Sequence, residues 1–120
     1  MQTLDVLLVE DEPDVRRMLV RGIERLGHRV RAVVDGLAAL DAVAEAAPDV
    51  MISDVSMPRM DGLSLVRRLR ADGHEFPVIL CSGYTQNTVE LSALGPTTHL
   101  MLKPFALSEL RERLEAVAGP

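Results

Sequence analysis

A chain of 120 residues with 48% hydrophobic and 26% charged content has the size of one domain and is too apolar to be disordered. Two Phe, one Tyr and no Trp leave no stacking platform for bases or a flavin ring, and a net charge of −5 argues against nucleic acid as this domain's own partner. Cys81 is the only cysteine, which excludes an internal disulfide and a multi-thiolate zinc site. No apolar run approaches the roughly 18 residues of a membrane span, and Met1-Gln2-Thr3 leads into a strand with no basic n-region, so the expectation is a cytoplasmic domain without membrane contact.

Val6-Leu7-Leu8-Val9 is a short branched apolar run, which reads as a strand buried on both faces. It ends in Glu10-Asp11-Glu12. Pro13 suits a first helical turn, Val15, Met18, Leu19, Gly22, Ile23 and Leu26 recur at helical spacing, and Gly27 closes the helix. His28 to Val34 alternates only partly, as an edge strand does. Asp35-Gly36 turns into a second helix carrying Leu37, Leu40, Val43, Ala44 and Ala47, which Pro48 bars from continuing. A third strand, Asp49 to Ser53, delivers Asp54 at the first loop position.

Asp54-Val55-Ser56-Met57-Pro58-Arg59-Met60-Asp61-Gly62 is the central loop, stiffened by Pro58 and opening a third helix at Asp61-Gly62 that carries Leu63, Val66 and Leu69 and stops near Gly73. Pro77 to Cys81 reads as a fourth strand ending at Ser82-Gly83, and Val89 to Leu94 as a weakly periodic fourth helix stopped by Gly95-Pro96. Leu100-Met101-Leu102 is a fifth strand ending at Lys103-Pro104, and Leu107, Leu110, Leu114 and Val117 describe a last amphipathic helix. The pattern is (βα)5.

Strands joined by helical crossovers form a parallel sheet covered on both faces, with every carboxyl end pointing one way. Glu10, Asp11, Asp54, Ser82 and Lys103 all fall at such ends, so they are expected to meet in one cleft. Three close carboxylates repel, which predicts a raised pKa for at least one of them unless a cation is bound. An oxygen donor set without His or Cys suits Mg²⁺. With the ammonium of Lys103 and the hydroxyl of Ser82, the site suits a phosphoryl group, and Asp54 suits the nucleophile that would accept it as an acyl phosphate.

At these residues the sequence resembles the response-regulator receiver domains of bacterial two-component signalling. The resemblance rests on Glu10-Asp11, on Asp54 with Met57-Pro58 and Met60-Asp61-Gly62, on Ser82-Gly83, and on Lys103-Pro104-Phe105, and it runs from the first strand through the last helix. It implies that Asp54 accepts phosphate from a phosphohistidine of a sensor histidine kinase or histidine phosphotransfer protein, with Mg²⁺ required. Asp11, Asp54 and the backbone carbonyl of Ser56 would ligate the metal, Glu10 would act mainly through water, and Lys103 would contact the phosphoryl oxygens across a cis Lys103-Pro104 junction. The architecture expected is a doubly wound, flavodoxin-like sheet of order 2-1-3-4-5, with residues 1–120 as a single receiver domain. Such a domain is a signalling module with slow autodephosphorylation rather than a turnover enzyme.

The chain departs from the family at Leu100, where a buried aromatic usually takes part in the switch. Tyr84 offers itself as a residue of an altered switch or of access by the hydrolytic water. Cys81-Ser82-Gly83-Tyr84 also resembles receivers attached to hybrid sensor kinases. Three rival functions stand beside the receiver: a phosphorylation-independent binding scaffold of the same fold, a Mg²⁺-dependent aspartyl phosphatase, and a small nucleotide- or flavin-binding module. The phosphatase would want an acid two residues after the nucleophile, where this chain has Ser56. A nucleotide- or flavin-binding module would want a glycine-rich first loop, where this chain has Glu10-Asp11-Glu12-Pro13. Glu12 reads as favouring the positive end of helix one, Phe105 and Met57 as packing residues, and Cys81 as an inert buried thiol. His28, His74 and His99 fall near strand starts, opposite the site, and receive no role. Arg16, Arg17 and Val20 border the apolar stripe of helix one, part of a kinase-docking face that in the family includes the loop after strand five.

Overall fold

The computed structural model describes residues 2–57, 59–83 and 88–118, with side chains described throughout except at 88–90 and 118. Five strands, β1 (Asp5–Val9), β2 (Arg29–Val33), β3 (Val50–Asp54), β4 (Val78–Ser82) and β5 (Thr98–Leu102), alternate with α1 (Pro13–Arg25), α2 (Gly36–Glu45), α3 (Gly62–Ala71), α4 (Thr88–Ala93) and α5 (Leu107–Ala118). All strand pairs are parallel and the order is β2-β1-β3-β4-β5, which puts the partly alternating β2 at an edge. This is the doubly wound, flavodoxin-like arrangement.

Alternation along the strands divides the core in two. Val6, Leu8, Val50, Ile52, Ile79, Cys81 and Met101 face Leu19 and Ile23 of α1 and Leu110 and Leu114 of α5. Leu7, Val9, Met51, Val78 and Leu80 face Ala39 and Val43 of α2, Leu65, Val66 and Leu69 of α3, and Leu94 after α4. Both faces are covered, which is why β1, β3 and β4 read as continuous apolar runs. Leu100 sits in the second cluster and Phe105 packs on the first, while Met57 packs on the second.

Helix starts follow local chemistry. Glu12 is the N-cap of α1, its carboxylate accepting from the Asp14 and Val15 N–H groups, and the bond from Val15 leads in holding that carboxyl below its usual range. Asp35 caps α2 through the Ala38 N–H, and Asp61 caps α3 through the Ser64 N–H. Gly27 follows α1 with φ +98°, a left-handed turn that favours glycine.

Several boundaries and burials differ from the sequence reading. Asp54 is the last residue of β3 rather than the first of the loop, Ser82 lies within β4, and β5 begins at Thr98, taking in His99. Helix α2 stops at Glu45, with Ala46 already extended, ahead of Pro48. Its buried residues are Gly36, Ala39 and Val43, so Leu37 and Ala44, one position off that stripe, point outward, and Leu37 is 46% exposed. Ala47 lies past the helix end and is exposed. Met18 and Leu107 are also exposed rather than core. Tyr84 and Pro58 lie outside the described residues.

Candidate functional site

The carboxyl ends of β1, β3 and β5 bring four side chains together. Lys103 Nζ lies 2.6 Å from Asp54 Oδ1, and the Lys103 side chain is far more exposed than that of Asp54. One carboxylate oxygen each from Glu10, Asp11 and Asp54 can be chosen so that all lie within 4.8 Å of one another. The Lys103 N–H donates to the Ser82 carbonyl at 2.7 Å, joining the ends of β4 and β5 beside this cluster. Ser82 is buried, one residue past Cys81, the register partner of Asp54. Ser56 lies two residues beyond Asp54 in the loop and is exposed. The Lys103-Pro104 peptide is cis.

Charge and burial shape this cluster. Glu10 is almost fully buried, and burial is the main cause pushing its carboxyl above the usual range. The Glu12 N–H, donating to Glu10 Oε1 at 3.2 Å, works against that shift, while the charges of Asp54 and Asp11 add to it. Repulsion among the acids is therefore present but secondary to desolvation. For Lys103 burial favours the neutral amine, yet the hydrogen bond and charge of Asp54, with Glu10 behind it, win and raise its pKa above normal. Burial also pushes the Cys81 thiol up to about 12, in keeping with an inert core cysteine.

The donor set fits a hard divalent cation. Three carboxylates converge with neither imidazole nor thiolate among them, and Asp11 and Lys103 are open to solvent, leaving room for retained water. Among the described residues, Asp54 alone of the three acids has an ion pair, with Lys103, so negative charge remains for a metal to offset.

Two supporting residues escaped the sequence reading. Arg16 Nη1 donates to the Glu10 carbonyl at 2.9 Å, which fastens the β1–α1 loop that presents Glu10 and Asp11. In sequence Arg16 is read only as part of a docking face on helix one, and nothing there points to a bond with the Glu10 carbonyl. Gly62 permits close approach of α3 to the acid: its N–H donates to the Val55 carbonyl at 2.8 Å, and a Cβ built there would overlap the Asp54 carbonyl oxygen. The sequence marks Gly62 as a helix-start glycine and as part of the Met60-Asp61-Gly62 motif, without its contact to Asp54. On the same side, Arg59 takes a positive φ of 67° and its Nη2 lies 3.3 Å from Asp35 Oδ2, tying the central loop to the start of α2.

The three histidines stand apart from the cluster. His28 is buried with Nδ1 accepting the Leu4 N–H at 3.0 Å, and His74 packs against Phe76 with ring centroids 5.7 Å apart. His99 lies on β5, whose opposite end leads to Lys103.

A doubly wound sheet with an acidic, cation-competent cleft at its strand ends defines an α/β module whose first loop carries Glu10-Asp11-Glu12 where a nucleotide-binding one would carry glycines. Residues 6–115 match the response regulator receiver domain family. The chain belongs to that family. It is 37% identical over 114 residues to response regulator MprA of Mycobacterium avium, covering 93% of this chain and 50% of MprA, so it spans about half the length of the curated relatives it matches. Among solved structures it resembles the chemotaxis protein CheY4 of Vibrio cholerae, with 31% identity, a TM-score of 0.88 and coverage of 97% and 99%. It also resembles the signal receiver domain of a histidine kinase from Syntrophus aciditrophicus, with 29% identity, a TM-score of 0.83 and coverage of 96% and 89%. No helix among the described residues is long and apolar enough to cross a membrane.

Proposed function

We propose that residues 1–120 form a single receiver unit that takes a phosphoryl group on Asp54 from the phosphohistidine of a sensor histidine kinase or histidine phosphotransfer protein. The observation that carries this reading is the Lys103–Asp54 contact of 2.6 Å beside the Glu10–Asp11–Asp54 cluster. This contact supports a site in which a nucleophilic carboxylate, an ammonium and cation ligands would act on one phosphoryl group.

In the transfer, an Asp54 carboxylate oxygen forms a bond to phosphorus as the nitrogen–phosphorus bond of the donor breaks, its electron pair staying on the imidazole. Lys103 swings from Asp54 to a phosphoryl oxygen, and the Ser82 hydroxyl donates to another. Asp11, Asp54 and the Ser56 carbonyl would hold Mg²⁺, with Glu10 acting mainly through water. When bound, the ion supplies positive charge that offsets the charge spread over the transferring oxygens. Attack of water on phosphorus later returns the free carboxylate and inorganic phosphate, resetting the state.

The acyl phosphate favours one of two conformations and so changes partner affinity, which makes the domain a cytoplasmic switch with slow autodephosphorylation rather than a turnover enzyme. With Leu100 held in the second core cluster, no aromatic at that position carries the change. The unit acts alone, within a longer regulator, or as the receiver of a hybrid kinase. The kinase-attached receiver among its structural relatives supports the last arrangement, and the two-fold longer MprA the second.

Intact-mass measurement after incubation with acetyl phosphate tests the proposal. The expected result is a gain of one phosphoryl group that requires Mg²⁺, is removed by hydroxylamine, and is absent in Asp54→Asn. A folded protein that stays unmodified with both acetyl phosphate and a phosphohistidine donor refutes it and favours the scaffold reading.

A further inference from the structure

The loop that follows Asp54 is not held by its own backbone. Val55 donates to the Cys81 carbonyl at 2.9 Å and accepts from the Gly62 N–H, and Asp61 caps α3. Between them, Ser56, Met57, Arg59 and Met60 make no backbone hydrogen bond among the described residues. A stretch without such bonds takes its shape from side-chain contacts, and three are present. Met57 packs on the second core cluster. Met60 lies so close to the start of α2 that a Cβ at Gly36 would meet its Cβ at 3.0 Å and its carbonyl oxygen at 3.2 Å. The third contact is the ion pair of Arg59 Nη2 with Asp35 Oδ2 at 3.3 Å.

Both partners of that pair are set up for it. The Asp35 side chain is only 7% exposed and its other oxygen accepts the Ala38 N–H at 2.8 Å, so one carboxylate serves α2 with one oxygen and the loop with the other. Arg59 has a φ of 67°, and among the described residues it is the only residue other than glycine in the left-handed region. An arginine stays there only when its surroundings fix it, and residues held in this way gather at functional sites. The ion pair supplies that fixing. Were Arg59 to relax to an ordinary φ, the chain would change direction and its guanidinium would leave Asp35.

The stretch held by this contact is the one that carries Ser56. Ser56 is exposed, and among the described residues its carbonyl accepts no hydrogen bond, so no group of the chain competes for that oxygen. Asp54, in contrast, belongs to β3 and is anchored by the sheet. Loosening the loop therefore disturbs the Ser56 carbonyl and spares the nucleophile.

We propose that Arg59 and Asp35 form a latch that positions the Ser56 loop and so sets the affinity of the site for a divalent cation, while taking no part in phosphoryl transfer. The latch rests on the receiver reading above and adds to it two positioning residues that touch neither the ion nor the phosphoryl group. With the latch open, only a fraction of molecules hold the loop in its binding-competent shape, and the apparent affinity falls by that fraction.

The test is an NMR titration of the full chain with MgCl₂, on wild type, Arg59→Ala, Arg59→Lys, Asp35→Asn and the double variant Arg59→Ala/Asp35→Asn. Asn also caps helices, so Asp35→Asn removes the charge and keeps the cap. Arg59→Ala and Asp35→Asn should each bind Mg²⁺ about fivefold more weakly, and Arg59→Lys, which keeps the charge, should stay within about twofold of wild type. The double variant should be no worse than the weaker-binding single, because every one of these changes removes the same pair. Before metal is added, the Ser56 and Met57 amides of Arg59→Ala should show lower order parameters than in wild type. Loading by acetyl phosphate should slow at limiting Mg²⁺ and recover at saturating Mg²⁺, a split that general destabilisation would not produce, and a thermal melt confirms that each variant is folded. Unchanged Mg²⁺ affinity in either single variant, losses that add in the double variant, or loading that stays slow at saturating Mg²⁺ overturns the proposal. Wild-type Mg²⁺ binding and loading report separately on the receiver reading: a wild type that does neither refutes both, whereas a wild type that does both, with variants that match it, refutes the latch alone.

Discussion

Gly62→Ala probes the contact between α3 and the acid most directly. The added methyl would overlap the Asp54 carbonyl oxygen, lie 3.1 Å from the Asp54 carbonyl carbon and 3.0 Å from Leu80 Cδ2. Two of these neighbours are backbone at a strand end, so neither can rotate away. Carbon and oxygen settle at about 3.3 Å or beyond, so relief requires α3 or the Asp54–Val55 peptide to move by on the order of 1 Å. Overpacking of that kind costs about 1–3 kcal/mol, and the better helix propensity of Ala returns at most about 1 kcal/mol. A net loss of about 1–2 kcal/mol is expected, seen as a Tm lower by about 5 °C. The Asp54 carboxylate should also be displaced from Lys103, slowing Mg²⁺-dependent loading by acetyl phosphate about tenfold or more, because such chemistry is sensitive to displacements of 1 Å. Gly27→Ala is the control. Nothing lies within 4 Å of its Cβ, but φ is +98°, so it costs about 1 kcal/mol from backbone strain at the far end of α1 and leaves loading alone. If Gly62→Ala matched wild type in both melting and loading, or slowed loading no more than Gly27→Ala, the close approach would not position the acid.

Arg70→Ala should cost about 3 kcal/mol in urea unfolding, since its guanidinium donates to the Leu94, His74 and Phe76 carbonyls and to the Thr97 and Thr98 hydroxyls at 2.8–3.1 Å. Amide exchange should rise first at residues 94–98, and an unchanged exchange pattern there would show that the segment holds without it. Cys81 makes stability fall in alkali. Its thiol pKa is raised from 9.0 to about 12, so above pH 9 the unfolded chain releases a proton that the folded chain keeps, and unfolding becomes easier by about 1.4 kcal/mol per pH unit up to 12. Cys81→Ala should be less stable at pH 7 but lose less stability between pH 9 and 11, and parallel curves for the two proteins would contradict the assignment.

Much of this molecule is written in local sequence. Continuous apolar runs announce buried parallel strands, and capping residues such as Asp35 and Asp61 mark helix starts. The strand-end register predicted that Glu10, Asp11, Asp54 and Lys103 would meet, because in a parallel sheet every strand delivers its last side chain to the same edge. That inference needs only the order of elements, not their packing. The resemblance to receivers then identified the family from the same residues.

Other features depend on which surfaces touch, and no local pattern encodes that. Met18 and Leu107 share the spacing of core residues, yet both are exposed and line a groove beside α1 instead. Leu37 fell outside the buried stripe of α2 because a helix of 10 residues buries only one face. Arg16 and Arg70 carry no sequence signal for the bonds they make: one grips the acidic loop through the Glu10 carbonyl and the other joins α3 to the segment before β5. Repulsion among the three acids predicts a raised pKa for at least one of them; the raised one is Glu10, and burial is its larger cause. Sequence alone thus determined which groups gather at the strand ends, because topology does that. Tertiary structure decided how deeply each is buried and what holds it there, because desolvation and close approach arise only when distant segments pack.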